Sequence, residues 1–405
     1  MTEDGFKANF PTEIVQEGKV KVLAPKLSAF VKHPSDYAPS KAPVFYNPVM
    51  ELNRDIAVLA FQAYQRMINQ EITLCEPLAS TGIRGIRFAA EIQGAKSILI
   101  GDISERAVEL ARYNARLNGL QERVIVQHAD ANCLLSRHAA PHRRFDAVDV
   151  DPFGSPVPYL DSGIRALRDN GLLAVTATDL ASLCGVHPKA CVRKYGGKPL
   201  RAEYCHELAV RLLTGCIAAI AAKHDIGIRV LLSQSTAHYI RVYTQIAYGA
   251  KKADASVKSL GYILHCFNCL HREHAKAPFG KGVECPECSS KMDYAGPLWL
   301  ENIFDKSFCE LMAKENMHRT LRNSLKIATL LSTAKEEAEA PATYYVLDKI
   351  SDKLALPVPA VNAVLRVLQD NGFTAVPTHF NSRGIKTDAP ALVMQKLVQR
   401  LASSA

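Results

Sequence analysis

Ile72-Thr73-Leu74-Cys75-Glu76-Pro77-Leu78-Ala79-Ser80-Thr81-Gly82-Ile83-Arg84-Gly85-Ile86-Arg87 reads as a short apolar strand, a turn of small residues and the opening of a helix. The same alternation repeats downstream. Ser97 to Gly101, Val124 to Gln127, Phe145 to Val150 and Gly171 to Thr176 are expected as further buried strands, with helical segments such as Arg84 to Gln93 and Ser104 to Leu117 between them. Strands alternating with helices imply βαβ units on a parallel, doubly wound sheet. An amphipathic stretch from Glu203 to Lys223 then leads to Ile228 to Ser233 and Ile240 to Ala247, close enough to pair as a hairpin.

What surrounds this block bounds the class of protein. A chain of 405 residues is long enough for two or three domains, each with its own core. Hydrophobic residues at 48% and charged residues at 22% describe a globular protein, not a disordered or fibrous one. The 49 Lys and Arg outnumber the 40 Asp and Glu, giving a pI near 8.9, a balance mildly attractive to polyanions but not histone-like. No apolar run approaches the ~18 to 20 residues of a spanning helix, and the polar, acidic start Met1-Thr2-Glu3-Asp4-Gly5 does not read as a leader. A cytoplasmic protein, with no membrane association and no obligate protein partner evident, is therefore expected. Most of the eleven Cys lie in apolar stretches such as Leu74-Cys75 and Leu183-Cys184 and read as reduced core residues. Gly249-Ala250-Lys251-Lys252-Ala253-Asp254 breaks the pattern and sets a boundary between residues 1–250 and residues 251–405.

The turn after the first strand opens a helix, where backbone amides and the helix dipole can hold a ligand. Gly82 and Gly85 permit close approach, but as a dinucleotide fingerprint the glycines are incomplete, which disfavours a nicotinamide dehydrogenase. A cofactor lacking phosphates and ending in a carboxylate, S-adenosyl-L-methionine, suits the loop better, with Arg84 or Arg54 as a bidentate partner for that carboxylate. Asp102 lies 20 residues past Gly82, where an acid accepts from ribose hydroxyls. Asp130, at the end of the third strand, is placed to meet the adenine amine, with Ala131 lending its backbone. Each acid alone could equally cap a helix. Together they mark the carboxyl edge of one sheet, where ligands of open α/β folds gather.

Strand four ends in Asp149-Val150-Asp151-Pro152-Phe153-Gly154-Ser155-Pro156. An acid followed by Pro and an aromatic suits methylation of an exocyclic amine on a base. The amine of guanine is a weak nucleophile because its lone pair is delocalised into the ring, so its hydrogens must be held on acceptors while the lone pair is aimed at the methyl carbon. Asp151 and the Pro152 carbonyl can be those acceptors, since Pro has no N–H to compete, and Phe153 can stack on the base. Asp149 is read as a structural acid. The related tetrad of DNA amine methyltransferases has Pro-aromatic where this chain has Phe153-Gly154, which disfavours that reading.

Two C-x-x-C knuckles, Cys266-Phe267-Asn268-Cys269 and Cys285-Pro286-Glu287-Cys288, have the spacing of a structural tetrathiolate Zn2+ site spanning 266–288. His265, His271 and His274 read as surface or RNA-facing, not as ligands. Helices are expected from about Asn302 to Glu339 and, split at Leu356-Pro357, from Tyr344 to Asn371. Lys251, Lys252, Lys258, Arg272, Lys276, Lys281 and Lys291 could meet phosphates, and so could Arg193-Lys194-Tyr195-Gly196-Gly197-Lys198.

Taken with Phe45-Tyr46-Asn47-Pro48, Asn53-Arg54-Asp55, Thr176-Ala177-Thr178-Asp179, Thr378-His379-Phe380 and Gly384-Ile385-Lys386-Thr387, the cofactor loop and the Asp151-Pro152-Phe153-Gly154-Ser155-Pro156 motif resemble the tRNA (guanine(26)-N(2))-dimethyltransferase family, in its archaeal type. The resemblance runs over nearly the whole chain, with one departure in the small-residue order at Leu78-Ala79-Ser80-Thr81. It implies an α/β fold: a Rossmann-like class I methyltransferase sheet in residues 1–250, and a C-terminal α+β domain in residues 251–405 that carries the zinc-binding insert and binds RNA. It implies that Arg54, Arg84, Gly82, Asp102, Asp130 and Ala131 contact S-adenosyl-L-methionine. Asp151, Pro152 and Phe153 would form the catalytic pocket, and tRNA would be the partner. A non-catalytic zinc-containing RNA binder on the same scaffold is the rival reading, and the intact Asp102, Asp130 and Asp151 argue against it.

Overall fold

The computed structural model describes residues 8–31, 33, 38–236, 238–276 and 282–403. Lys281 lies outside the described residues. In chain order the elements are β1 (Thr12–Glu17), β2 (Val20–Pro25), α1 (Glu51–Ile68), β3 (Ile72–Glu76), α2 (Ile83–Glu91), β4 (Ala95–Asp102), α3 (Glu105–Leu117), β5 (Val124–His128), α4 (Ala131–Arg137), β6 (Phe145–Val150), α5 (Val157–Arg165), β7 (Leu167–Ala177), α6 (Leu180–Leu183), α7 (Pro188–Tyr195), α8 (Cys205–Ala222), β8 (Ile226–Thr236) and β9 (Tyr239–Tyr248). They continue as α9 (Ala250–Lys258), β10 (Leu260–His265), β11 (Arg272–Ala275), β12 (Asp293–Trp299), α10 (Lys306–Met317), α11 (Ser324–Glu337), β13 (Tyr345–Val346), α12 (Leu347–Leu354), α13 (Val361–Asp370), β14 (Ala375–Thr378), β15 (Asn381–Thr387) and α14 (Ala391–Ser403). All seven strands expected from the alternation form, in the order β5-β4-β3-β6-β7-β9-β8. The fold is thus the mostly parallel Rossmann-like sheet of class I methyltransferases, ended by an antiparallel pair.

Two compact units divide the chain: residues 1–151, 161–174 and 311–328, and residues 152–160, 175–310 and 329–405. In the first, β3 pairs in parallel with β4 and β6, and β4 with β5. Leu74, Ile98, Ile100 and Val148 are buried almost completely, as strands covered on both faces require. The strand order reverses between β3 and β6, and such a switch point opens a crevice at the carboxyl ends of the strands. The β1–β2 hairpin is tied to α3 by Asn114, whose amide accepts from Leu23 N at 2.7 Å and donates to Leu23 O at 3.0 Å.

In the second unit, α8 packs beside β8, β9 and β12. It is the one helix among the described residues long and apolar enough to cross a membrane, but most of its residues are buried inside the protein, as in a core helix. The stretch 249–254, where the pattern breaks, opens a helix. Gly249 ends β9 at φ +133° and its carbonyl accepts from Lys252 N and Ala253 N, so α9 starts at once. Small Ala253 and Ser256 are its buried positions, and Ser256 Oγ accepts from Ile228 N at 2.9 Å. The cysteine region also holds more structure than its spacing suggested, a three-stranded sheet in the order β11-β10-β12. The helices foreseen on either side of Leu356-Pro357 are α12 and α13. They pack with α14 and the β13-β15-β14 sheet around Leu347, Ile350, Val364, Leu368, Ile385 and Met394.

Candidate active site

At the carboxyl edge of the first unit, α2 enters straight from Gly82, which sits at φ +77° as its N-cap. That left-handed geometry favours glycine, and a Cβ there would meet Ala111 Cβ at 3.0 Å. One turn on, Arg84 is 3% exposed and surrounded by acids. Its guanidinium pairs with Asp151, lies 3.5 Å from Asp149 and 3.8 Å from Glu76, and donates to Asn53 Oδ1 at 2.7 Å. Burial, with Asp149 and Asp151 nearby, pushes the Glu76 carboxyl well up, towards its protonated form, against the pull of Arg84. Asn53 Nδ2 is buried with no hydrogen-bond partner. Glu76 and Asn53 were not foreseen as part of this cluster. The only signal was position, since Glu76 ends the first strand directly before the loop.

The other expected cofactor residues fall around the same edge. Asp102 ends β4 and accepts from Ser80 N and Ser104 N, both at 2.8 Å, so it braces the loop while each carboxylate oxygen keeps a further lone pair for a hydroxyl. Asp130 is the N-cap of α4, accepting from Cys133 N at 3.0 Å, and Ala131 is the first, buried residue of that helix. Arg54 is tied to the β1–β2 hairpin. Its Nε and Nη2 grip Glu17 at 2.7 and 2.5 Å, and Nη2 also donates to Asn47 O. Tyr46 donates to the same carboxylate at 2.8 Å. The bidentate partner of Arg54 is thus an acid of the β1–β2 hairpin, which linear spacing could not reveal.

Pro152 and Phe153 open the second unit. Pro152 is buried, whereas Phe153 is 65% exposed. Behind them Gly154, at φ +73°, exchanges two hydrogen bonds with Thr178: Gly154 N donates to Thr178 Oγ1 at 2.7 Å and Thr178 N to Gly154 O at 2.9 Å. Ser155 Oγ donates to Tyr195 OH at 3.0 Å, and Tyr195 OH donates to Asp179 Oδ1 at 2.5 Å. Burial and the Asp179 carboxylate push the Tyr195 phenol far up, so it stays protonated as that donor. Thr176-Ala177-Thr178-Asp179 is therefore the brace of the Pro-Phe-Gly-Ser loop.

Cys266, Cys269, Cys285 and Cys288 come together with all four Sγ atoms within 4.8 Å of one another. The Cys266–Cys288 and Cys269–Cys285 separations are 3.5 and 3.4 Å, near the ~3.8 Å edge of a tetrahedron with 2.3 Å Zn–S bonds. The two knuckles are built alike. Leu270 N donates to Cys266 O and Ser289 N to Cys285 O, with Leu270 and Ser289 both left-handed. The donor set and its repeat fit a tetrathiolate metal. Nearby, His265 is fully buried against Tyr204 and Phe267, correcting its assignment to the surface. Arg272 stacks between Tyr204 and Tyr345 and donates to Tyr344 O, so it is packed rather than turned to phosphates. Lys194 and Lys198 pair with Asp179 and Asp293, while Arg193 is exposed.

A switch-point crevice with an acid-Pro-aromatic motif on the adjoining strand defines a methyltransferase of the class I fold. The N2,N2-dimethylguanosine tRNA methyltransferase family model matches residues 18–399. The chain is 42% identical to the tRNA (guanine(26)-N(2))-dimethyltransferase of Methanobrevibacter smithii over 98% of its own length and 99% of that protein's. It is 34% identical to the tRNA (guanine(26)-N(2)/guanine(27)-N(2))-dimethyltransferase of Aquifex aeolicus, covering 96% of each. Trm1 from Pyrococcus horikoshii, solved in complex with S-adenosyl-L-methionine, superimposes with a TM-score of 0.82 at 36% identity, covering 95% of this chain and 99% of that one. The chain belongs to the N2,N2-dimethylguanosine tRNA methyltransferase family.

Proposed function

We propose that this protein transfers two methyl groups from S-adenosyl-L-methionine to N2 of guanine 26 in tRNA, giving N2,N2-dimethylguanosine. The observation that carries the reading is the placement of Asp151 at the end of β6, paired with the α2 arginine that follows the cofactor loop. Support comes from the full-length match to dimethyltransferases of that specificity.

S-adenosyl-L-methionine supplies a methyl group on a sulfonium that is already an activated leaving group, so no covalent enzyme intermediate is needed. Gly82, Arg84, Asp102, Asp130 and Ala131 hold it, with Arg54 shaping the pocket through Glu17. Asp102 takes the ribose hydroxyls with its remaining lone pairs. The Asp151 carboxylate and the Pro152 carbonyl accept the two amine hydrogens of guanine, which turns the nitrogen lone pair towards the methyl carbon. The ion pair with Arg84 holds the Asp151 carboxylate in place. Phe153, 65% exposed, stacks on the base, and the Thr178–Gly154 bonds fix its loop. Aligning two reactants in this way can lower a barrier by about 7–11 kcal/mol. Asp151 receives the proton that the amine loses in the first transfer and releases it to solvent before the second, in which the single remaining amine hydrogen is held and lost in the same way.

Residues 1–250 carry this chemistry, and residues 251–405 act as the RNA-binding domain. Cys266, Cys269, Cys285 and Cys288 hold a structural Zn2+ there, far from any bond-making role. The test is methyl incorporation from labelled S-adenosyl-L-methionine into unmodified tRNA transcripts with guanine or adenine at position 26, followed by nucleoside analysis. N2,N2-dimethylguanosine from the guanine transcript alone is expected. Incorporation that ignores the base at position 26 and follows a guanine at position 27 would overturn the assigned site.

A further inference from the structure

A second group of soft ligands lies apart from the knuckles, within the same unit. Cys184 caps the C-terminus of α6, while Cys205 and His206 open α8, and a ligand atom from each of the three lies within 4.8 Å of the others. Linear sequence gives no hint of this, because Leu183-Cys184 reads as core. In the fold Cys184 and Cys205 are both half-buried, and the Cys184 thiol donates to Cys205 O at 3.7 Å. The His206 ring is already oriented, with Nδ1 at 3.0 Å from Ser235 Oγ, in the way a metal-ligating imidazole is steadied by a hydrogen bond from its other side.

We propose that Cys184, Cys205 and His206 form a second metal site, for a thiophilic dication of the Zn2+ class, with its fourth position open to solvent. Two thiolates balance the charge of the ion, and the neutral imidazole completes a mixed sulfur and nitrogen set of the kind zinc accepts. Three protein ligands instead of four make it weaker than the tetrathiolate and exchangeable. Its location gives it a consequence. Asp179 and Cys184 cap the two ends of α6, and the Thr178-Asp179 end holds Gly154 directly and Ser155 through Tyr195. A metal joining Cys184 to the first turn of α8 pins the far end of that brace.

The experiment is a titration of Co2+ into the full chain loaded with one equivalent of Zn2+, which the tighter tetrathiolate takes, followed by thiolate-to-cobalt charge-transfer absorption. A single further equivalent is expected in the wild type. In Cys184→Ser the band is lost, and in His206→Ala the affinity falls by at least about tenfold. Cys191→Ser, whose thiol is buried outside the group, keeps the full signal. Circular dichroism of each variant reports whether it has folded. A folded Cys184→Ser protein that keeps the band places the cobalt at the knuckles and overturns the proposal, as does a wild type that shows no band at all. The outcome does not depend on the tRNA substrate, and the Cys184→Ser variant separates this group from Cys266, Cys269, Cys285 and Cys288.

Discussion

The Arg84 guanidinium, on the first turn of α2, forms an ion pair with the Asp151 carboxylate at the end of β6, so the helix after the cofactor loop holds the acid of the Asp-Pro-Phe motif. The Asp151 side chain is 18% exposed and that of Arg84 only 4%. The two substitutions should therefore behave differently. Asp151→Ala is expected to keep S-adenosyl-L-methionine binding within a few fold by calorimetry and to abolish methyl incorporation. Arg84→Ala removes the buried guanidinium that lies among Glu76, Asp149 and Asp151 and is expected to cost about 3–5 kcal/mol in denaturant unfolding. Loss of cofactor binding in Asp151→Ala would move that residue into the cofactor pocket.

Phe153 contributes little to the core at 65% exposure. Phe153→Ala is expected to leave the melting temperature unchanged. It should lower kcat/KM for tRNA by the ~1–3 kcal/mol of one base stacked on an aromatic ring, with Phe153→Tyr recovering most of it. A large drop in melting temperature with normal turnover would show the ring to be structural.

Removing the proposed Zn2+ from the knuckles should unfold their module and spare the large sheet. The apparent binding free energy of such sites is ~10–16 kcal/mol, more than so small a sheet as β10–β12 can replace. With Cys285→Ser, zinc content measured by atomic absorption should fall, and limited proteolysis should cut first near that residue. S-adenosyl-L-methionine binding is expected to persist. Full zinc content in Cys285→Ser would count against the assignment.

The Gly384-Ile385-Lys386-Thr387 motif supports the fold through Lys386, whose Nζ is buried and bonds Glu207 Oε1 at 2.8 Å. Burial alone would raise the Glu207 carboxyl, but Lys386 and Arg211 outweigh it and hold it at about 2. Because this lies below the unfolded value, the stabilisation is complete above about pH 4.5 and is lost as pH falls from there towards 2. Its size is on the order of 3 kcal/mol. Lys386→Met should unfold at a higher pH than the wild type in an acid titration followed by circular dichroism. Superimposable acid transitions would rule out this pair as a determinant.

The seven strands of the large sheet, the turn into α2, the Asp-Pro-Phe motif and the paired cysteine knuckles were legible in the linear chain, because each depends on short-range spacing. Apolar alternation marks buried strands, and a C-x-x-C pair brings its own two sulfurs together. Even β11 and α9 escaped that reading, one a short strand of mixed polarity, the other a helix masked by the glycine before it.

Sequence by itself thus determined the class of sheet, the order of its strands along the chain and the position of Asp102, Asp130 and Asp151 at strand ends. Only the tertiary structure decided their partners. It gave Arg54 to Glu17, Arg84 to Asp151, Glu207 to Lys386 179 residues away, and Cys184 to Cys205 and His206. The reason is physical: a charge or thiol is satisfied by whatever packing brings within about 3–4 Å, and that distance is set by how strands and helices stack, which no local periodicity encodes.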